Sequence, residues 1–112
     1  MKRIGSLVWP TGVMVVWLAT GQAWAQNLGV PTRGLALAQQ LCSECHAITR
    51  GEARSPNVAA PPFDRIANVP GMTATALSAS LQSPHRRMPN VMLNADELSN
   101  IVAYILSLQR SN

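Results

Sequence analysis

The chain has 112 residues, with nine Lys and Arg against five Asp and Glu and a formal net charge of +4. That length supports one small domain, and two cysteines are too few for a disulfide-rich scaffold. No basic stripe interleaved with aromatics is present, so the positive charge does not read as a nucleic-acid footprint.

Residues 1–25 read as a secretory signal peptide, leaving 26–112 as the domain. Lys2 and Arg3 form a basic start, residues 7–19 are mainly apolar, and Ala23-Trp24-Ala25 supplies the small-x-small cleavage signal. Pro10 and Gly12 interrupt the apolar run, which is short for a bilayer-spanning helix. Cleavage after Ala25 is expected, with an uncleaved membrane tether as the alternative. It would remove the only lysine and all three tryptophans, leaving seven arginines against five carboxylates, a net charge of +2. Long-range steering by such a charge is weak. The remaining domain, with one phenylalanine and one tyrosine, has little to build a core from, and domains this small often need a staple.

Residues 26–32, with Gly29 and Pro31, read as a short mobile lead-in. A first helix is expected over 33–45, capped by Thr32 and ending near His46, because Arg50-Gly51 follows within a turn. Its C-terminal end carries Cys42-Ser43-Glu44-Cys45-His46. Two cysteines three apart with a histidine directly after the second read as a c-type haem attachment site. On one helical turn, both thiols share a face and can reach two vinyl groups on one porphyrin edge. His46 then stands where its imidazole can be the proximal iron ligand.

Three other chemistries fit parts of that pattern. A redox dithiol matches the spacing but usually accompanies a strand-helix-strand pattern, which is not seen. A structural zinc site would need Cys42, Cys45, His46 and His85 together, and His46 lies too close to Cys45 to swing freely onto that metal. A disulfide across two residues would be strained within a helix.

Residues 51–62 lack periodicity, and Pro56, Pro61 and Pro62 impose extended or turn geometry. A short helix over 63–69 should turn Phe63, Ile66 and Ala67 to one side and stop at Pro70-Gly71. Thr73 caps the next helix, with Met72 and Leu77 as a hydrophobic staple, Ala74, Leu77 and Leu81 as its apolar face, and Pro84 as its stop. Residues 84–90 are irregular. Asn94 with Glu97 three residues on forms a capping-box variant, stapled by Leu93 and Leu98. Leu98, Ile101, Val102, Ile105 and Leu108 follow a helical repeat, and Arg110 falls near the negative end of the helix. No strand pattern occurs, so the expected class is all-α, with about four short helices.

A second iron ligand has four candidates, Met72, His85, Met88 and Met92. Met88 is favoured because the adjacent Pro89 stiffens the chain around it. Met72 is explained by its staple, and Met92 is expected to pack on the haem wall or core. His85 is the rival, since imidazole binds ferric iron more strongly than a thioether.

From Gly34 to Leu108 the residues resemble the class I c-type cytochromes, of the small monohaem bacterial type. Gly34, eight residues before Cys42, matches the small residue that this family places where the first and last helices cross. Ile101-Val102-Ala103-Tyr104-Ile105 resembles the segment that packs against it, and Met88-Pro89 resembles the distal ligand loop. Pro61 or Pro62 resembles the proline whose carbonyl accepts the proximal histidine's Nδ1 proton. The resemblance implies a class I cytochrome c-like fold around one covalent haem c, with Cys42 and Cys45 as thioethers and His46 and Met88 as axial ligands. It further implies a monomeric electron carrier, not an enzyme, working in the periplasm where covalent haem is assembled. Its partners would be redox proteins met transiently. The alternative is a haem subunit of a periplasmic dehydrogenase or oxidase, and a third class is a ligand-binding or peroxidase-like protein with an open sixth position. The lysine ring and propionate-holding tryptophan of relatives are absent from residues 26–112, leaving Arg50, Arg65, Arg86 and Arg87 as candidates to hold the propionates.

Overall fold

The computed structural model describes residues 28–84 and 87–111, together with the isolated Gly5. The expected signal segment lies, apart from that glycine, outside the described residues, as do His85 and Arg86. Among the described residues the chain is all-α, with four helices and no strand, and no helix is long and apolar enough to cross a membrane.

Helix α1 runs Pro31–Leu41, two residues earlier at its start than expected. Val30, not Thr32, is the N-cap, without a side-chain hydrogen bond. Pro31 explains the shift, because its fixed φ suits the first helical turn, where its missing N–H would have had no partner anyway. The described part of the lead-in is not loose. Val30 N–H donates to Asn100 Oδ1 at 2.7 Å. A Cβ built on Gly29 would fall 1.9 Å from the Ser99 carbonyl oxygen, so this backbone lies directly on α4.

The C-terminal end of α1 also departs from expectation, stopping at Leu41 rather than near His46. Both Cys42 N–H and Ser43 N–H donate to the Ala38 carbonyl, and Cys45 N–H reaches back only to Cys42. The helical ladder thus unwinds into turns at the first cysteine. A positive φ of 81° at Gly51 follows, in a loop without regular structure.

Helix α2 covers Phe63–Ala67, shorter than expected, because Asn68 leaves helical geometry. The Asn68 side chain instead donates to the carbonyls of Asp64 and Leu108. Helix α3, Ala74–Gln82, starts at the expected cap, where Thr73 Oγ1 accepts Ala76 N–H at 3.2 Å. Its apolar face is narrower than expected: Leu77 is buried and Leu81 half-buried, while Ala74 is exposed. Helix α4, Ala95–Ser107, has a complete capping box. Asn94 Oδ1 accepts Glu97 N–H, and Glu97 Oε2 accepts Asn94 N–H, each at 2.9 Å.

Helix α4 is the hub. Among the described residues α1, α2 and α3 each pack on α4 and none packs on another. Ile101 and Ile105 are the large side chains wholly buried there, with Ala38, Phe63, Leu77 and Leu108 around them. Helix α1 itself lies directly on α4 at Gly34, where an added Cβ would meet the Asn100 carbonyl oxygen at 1.9 Å and Tyr104 Cβ at 2.6 Å. The last turn of α4 is met by Arg50, whose guanidinium donates to Ser107 O at 2.6 Å and Leu108 O at 3.2 Å. Arg110, expected near that helix end, pairs instead with Asp64 Oδ2 at 2.6 Å.

Candidate functional site

Cys42 is buried and Cys45 half-buried, and neither is in a disulfide. The turn is tight, since Cys45 N–H and His46 N–H both donate to the Cys42 carbonyl at 3.1 and 2.9 Å. Both thiols therefore sit within one turn of chain, although that turn is not α-helix. Burial pushes the Cys42 thiol up from its ordinary value. Reactive dithiols depend on the opposite shift, which exposes a thiolate at neutral pH.

His46 follows directly, and its ring is fixed from one side. Nδ1 lies 2.7 Å from the Pro61 carbonyl oxygen. A carbonyl only accepts, so Nδ1 carries the proton, and in the neutral ring the lone pair is then on Nε2. Of the two prolines singled out in the sequence, Pro61 makes this contact, while Pro62 is the N-cap of α2. Phe63, first residue of α2, holds its ring 5.4 Å from the His46 ring at a 48° tilt. Phe63 N–H also donates to the Ala47 carbonyl at 2.9 Å.

Met88 lies half-buried in the loop joining α3 to α4, with Pro89 exposed beside it. Backbone and ring hydrogen bonds bring Cys42, Cys45, His46 and Pro61 together. The rival His85 lies outside the described residues. Met72 packs against the core cluster, in keeping with its staple reading. Met92 is 86% exposed, so it does not pack in the protein's own core. Arg50, one of the candidate propionate partners, spends two guanidinium N–H groups on α4's terminal carbonyls. Arg65 and Arg87 are exposed.

Among the described residues no three His, Cys, Asp or Glu side chains converge to hold a metal ion. A tetrahedral site of the kind structural zinc requires is thus not formed by them. The same residues fit a covalent haem better. Two free thiols adjoin an imidazole whose Nδ1 is bonded to the Pro61 carbonyl, and apolar side chains around the core are left partly uncovered. Leu35, Leu37, Ile66, Met72, Leu81 and Leu93 are only partly buried, and three helices share one partner without meeting. A flat apolar group bonded at the turn would supply the contacts those side chains lack.

Sequence reasoning missed Ser55 and Asn57, which bind the backbone beside the histidine: Ser55 Oγ accepts Ala47 N–H, and Asn57 N–H donates to the Cys45 carbonyl. The signal for Asn57 was available, as an Asn two residues before a small residue in a loop commonly closes an Asx-turn. No family model, no curated protein and no solved structure matches this chain.

Proposed function

We propose that this chain is an exported carrier of single electrons with the class I cytochrome c-like fold. It holds one haem c through thioethers from Cys42 and Cys45, with His46 as proximal and Met88 as distal iron ligand. The observation that carries the reading is the 2.7 Å link from His46 Nδ1 to the Pro61 carbonyl, immediately after a turn with two free thiols. A redox dithiol or a disulfide has no use for a neighbouring histidine whose tautomer is set with Nε2 left free. An iron ligand does.

When bound, the haem supplies the ferrous–ferric couple. Pro61 holds the His46 ring in one tautomer and orientation, and raises the donor strength of Nε2 through the Nδ1–H bond. Met88 contributes a thioether, which favours the ferrous form relative to a second imidazole. The partly buried leucines around α4 exclude water and disfavour the extra positive charge of the ferric form. With His46 and Met88 both holding the iron, no place would remain for a substrate, and the chain would carry electrons rather than catalyse a reaction. It acts as a periplasmic monomer and meets redox proteins across a small, transient interface.

The test is the mass and visible spectrum of the exported protein. We expect the mass of the mature polypeptide plus one haem, lost in the Cys42→Ala/Cys45→Ala variant. We also expect the weak methionine–ferric iron charge-transfer band, abolished by Met88→Ala and kept in Met72→Ala and Met92→Ala. An unmodified mass overturns the reading. A spectrum altered by His85→Ala and by none of the methionine variants overturns the distal assignment alone.

A further inference from the structure

Residues 55–63 form a strap across the backbone of His46. Ala47 N–H donates to Ser55 Oγ at 3.0 Å, Asn57 N–H donates to the Cys45 carbonyl at 3.1 Å, and Phe63 N–H donates to the Ala47 carbonyl at 2.9 Å. The residues on either side of the histidine are therefore both tied to the strap. Asn57 also shapes it. Its Oδ1 accepts Ala59 N–H and its carbonyl accepts Ala60 N–H, both at 2.9 Å, which folds the turn leading into Pro61. Apolar burial does not hold this turn in place, because Val58 at its tip is 99% exposed. Its position depends on hydrogen bonds, and two of them use the side chains of Ser55 and Asn57.

We infer that Ser55 and Asn57 are positioning residues for the His46 imidazole, fixing through the strap where the Pro61 carbonyl meets Nδ1–H. The electronic consequence rests on the haem ligation proposed above. A firm Nδ1–H···O bond makes Nε2 a stronger donor and favours ferric iron. Ser55→Ala leaves Ala47 N–H without its acceptor, and Asn57→Ala opens the turn before Pro61. In both, the Nδ1–H bond loosens and the balance moves toward the ferrous form.

The experiment uses the haem-loaded full-length protein. The solvent exchange of the His46 Nδ1 proton is followed by NMR in the reduced state, and the ferrous-to-ferric ratio is read at one fixed ambient potential. Ser55→Ala and Asn57→Ala should each speed the exchange and raise the ratio severalfold. Ser55→Thr, which keeps the hydroxyl, should restore both. Ser99→Ala, which removes a hydroxyl bonded only within α4, should change neither. If Ser55→Ala does not accumulate, the comparison of Asn57→Ala with Asn57→Asp, which keeps the Ala59 acceptor, decides the matter. Unchanged exchange and ratio in the alanine variants overturn the inference. A wild-type protein without haem overturns the proposed function instead, so the two failures are distinguishable.

Discussion

Gly34 sits within helix α1, where alanine would normally improve helix propensity by about 1 kcal/mol. Here the added methyl would lie 1.9 Å from the Asn100 carbonyl oxygen, a backbone atom in the middle of α4 that has no rotamer to move through. Overpacking of this kind costs up to about 3 kcal/mol, so the clash outweighs the propensity. Gly34→Ala should lower the urea midpoint markedly, and an unchanged midpoint would mean that the two helices do not cross there. Four residues along α4 from Asn100, Tyr104 is buried, and its hydroxyl donates to the Ile48 carbonyl at 2.6 Å. Tyr104→Phe leaves that buried acceptor unpaired and should cost about 2 kcal/mol. Burial, then the nearby Glu52 carboxylate, raises the Tyr104 pKa above its ordinary 10.0, with Arg50 opposing. The folded state therefore holds this proton longer than the unfolded chain. The resulting stability is fully present below pH 10 and lost as pH rises through the folded value. Tyr104→Phe should accordingly flatten the alkaline fall in the denaturation midpoint, which a urea series above pH 9 would measure.

Among the helices, α4 was the most legible in sequence because everything that starts it is local. Asn94 and Glu97 lie three residues apart and bond each other's backbone. Asn94→Ala removes one half of the box and should cost about 1 kcal/mol, read as a shift in thermal midpoint without loss of helical ellipticity. The far end of the same helix was not legible. Arg50 reaches its carbonyls from 57 and 58 residues away, a distance over which no periodicity or capping rule operates. The same holds for the Tyr104–Ile48 bond and for the Arg110–Asp64 pair, each made by the fold rather than by neighbours in the chain. At α1 the failure was different. Pro31 was a readable start signal, but Thr32 is the commoner cap type and drew the boundary to itself. The early stop at Leu41 followed from two amides sharing the Ala38 carbonyl, which residue type does not encode. The turn 42–46 is therefore held by its own short hydrogen bonds and by the strap, not by the rigidity of a helix.

At the scale of the molecule, the arrangement of three helices on one hub leaves a core that is incomplete by its own side chains. Two large residues, Ile101 and Ile105, are fully buried, while Leu35, Leu37, Leu81, Leu93, Leu98 and Leu106 are only partly covered. A domain of this size has net stability on the order of 5 kcal/mol, and each large apolar side chain left exposed forfeits about 1.5–3 kcal/mol of burial. Leaving three leucines half-covered forfeits roughly 2–4.5 kcal/mol, a large share of that stability. The domain should then depend on an added apolar group for cooperative folding, whereas a redox dithiol domain would not. Cys42→Ala/Cys45→Ala, which cannot hold haem covalently, tests this with only a small change to the core, since Cys42 is the one thiol buried in the cluster and Cys45 is half-buried in the turn. Its urea transition should be broad with a reduced slope, because less surface is buried in its native state. The wild-type transition should be sharp and lie at a higher midpoint. Equal slopes and midpoints for the two proteins would show that the helices complete their core unaided, and would remove the physical reason for placing a prosthetic group between them.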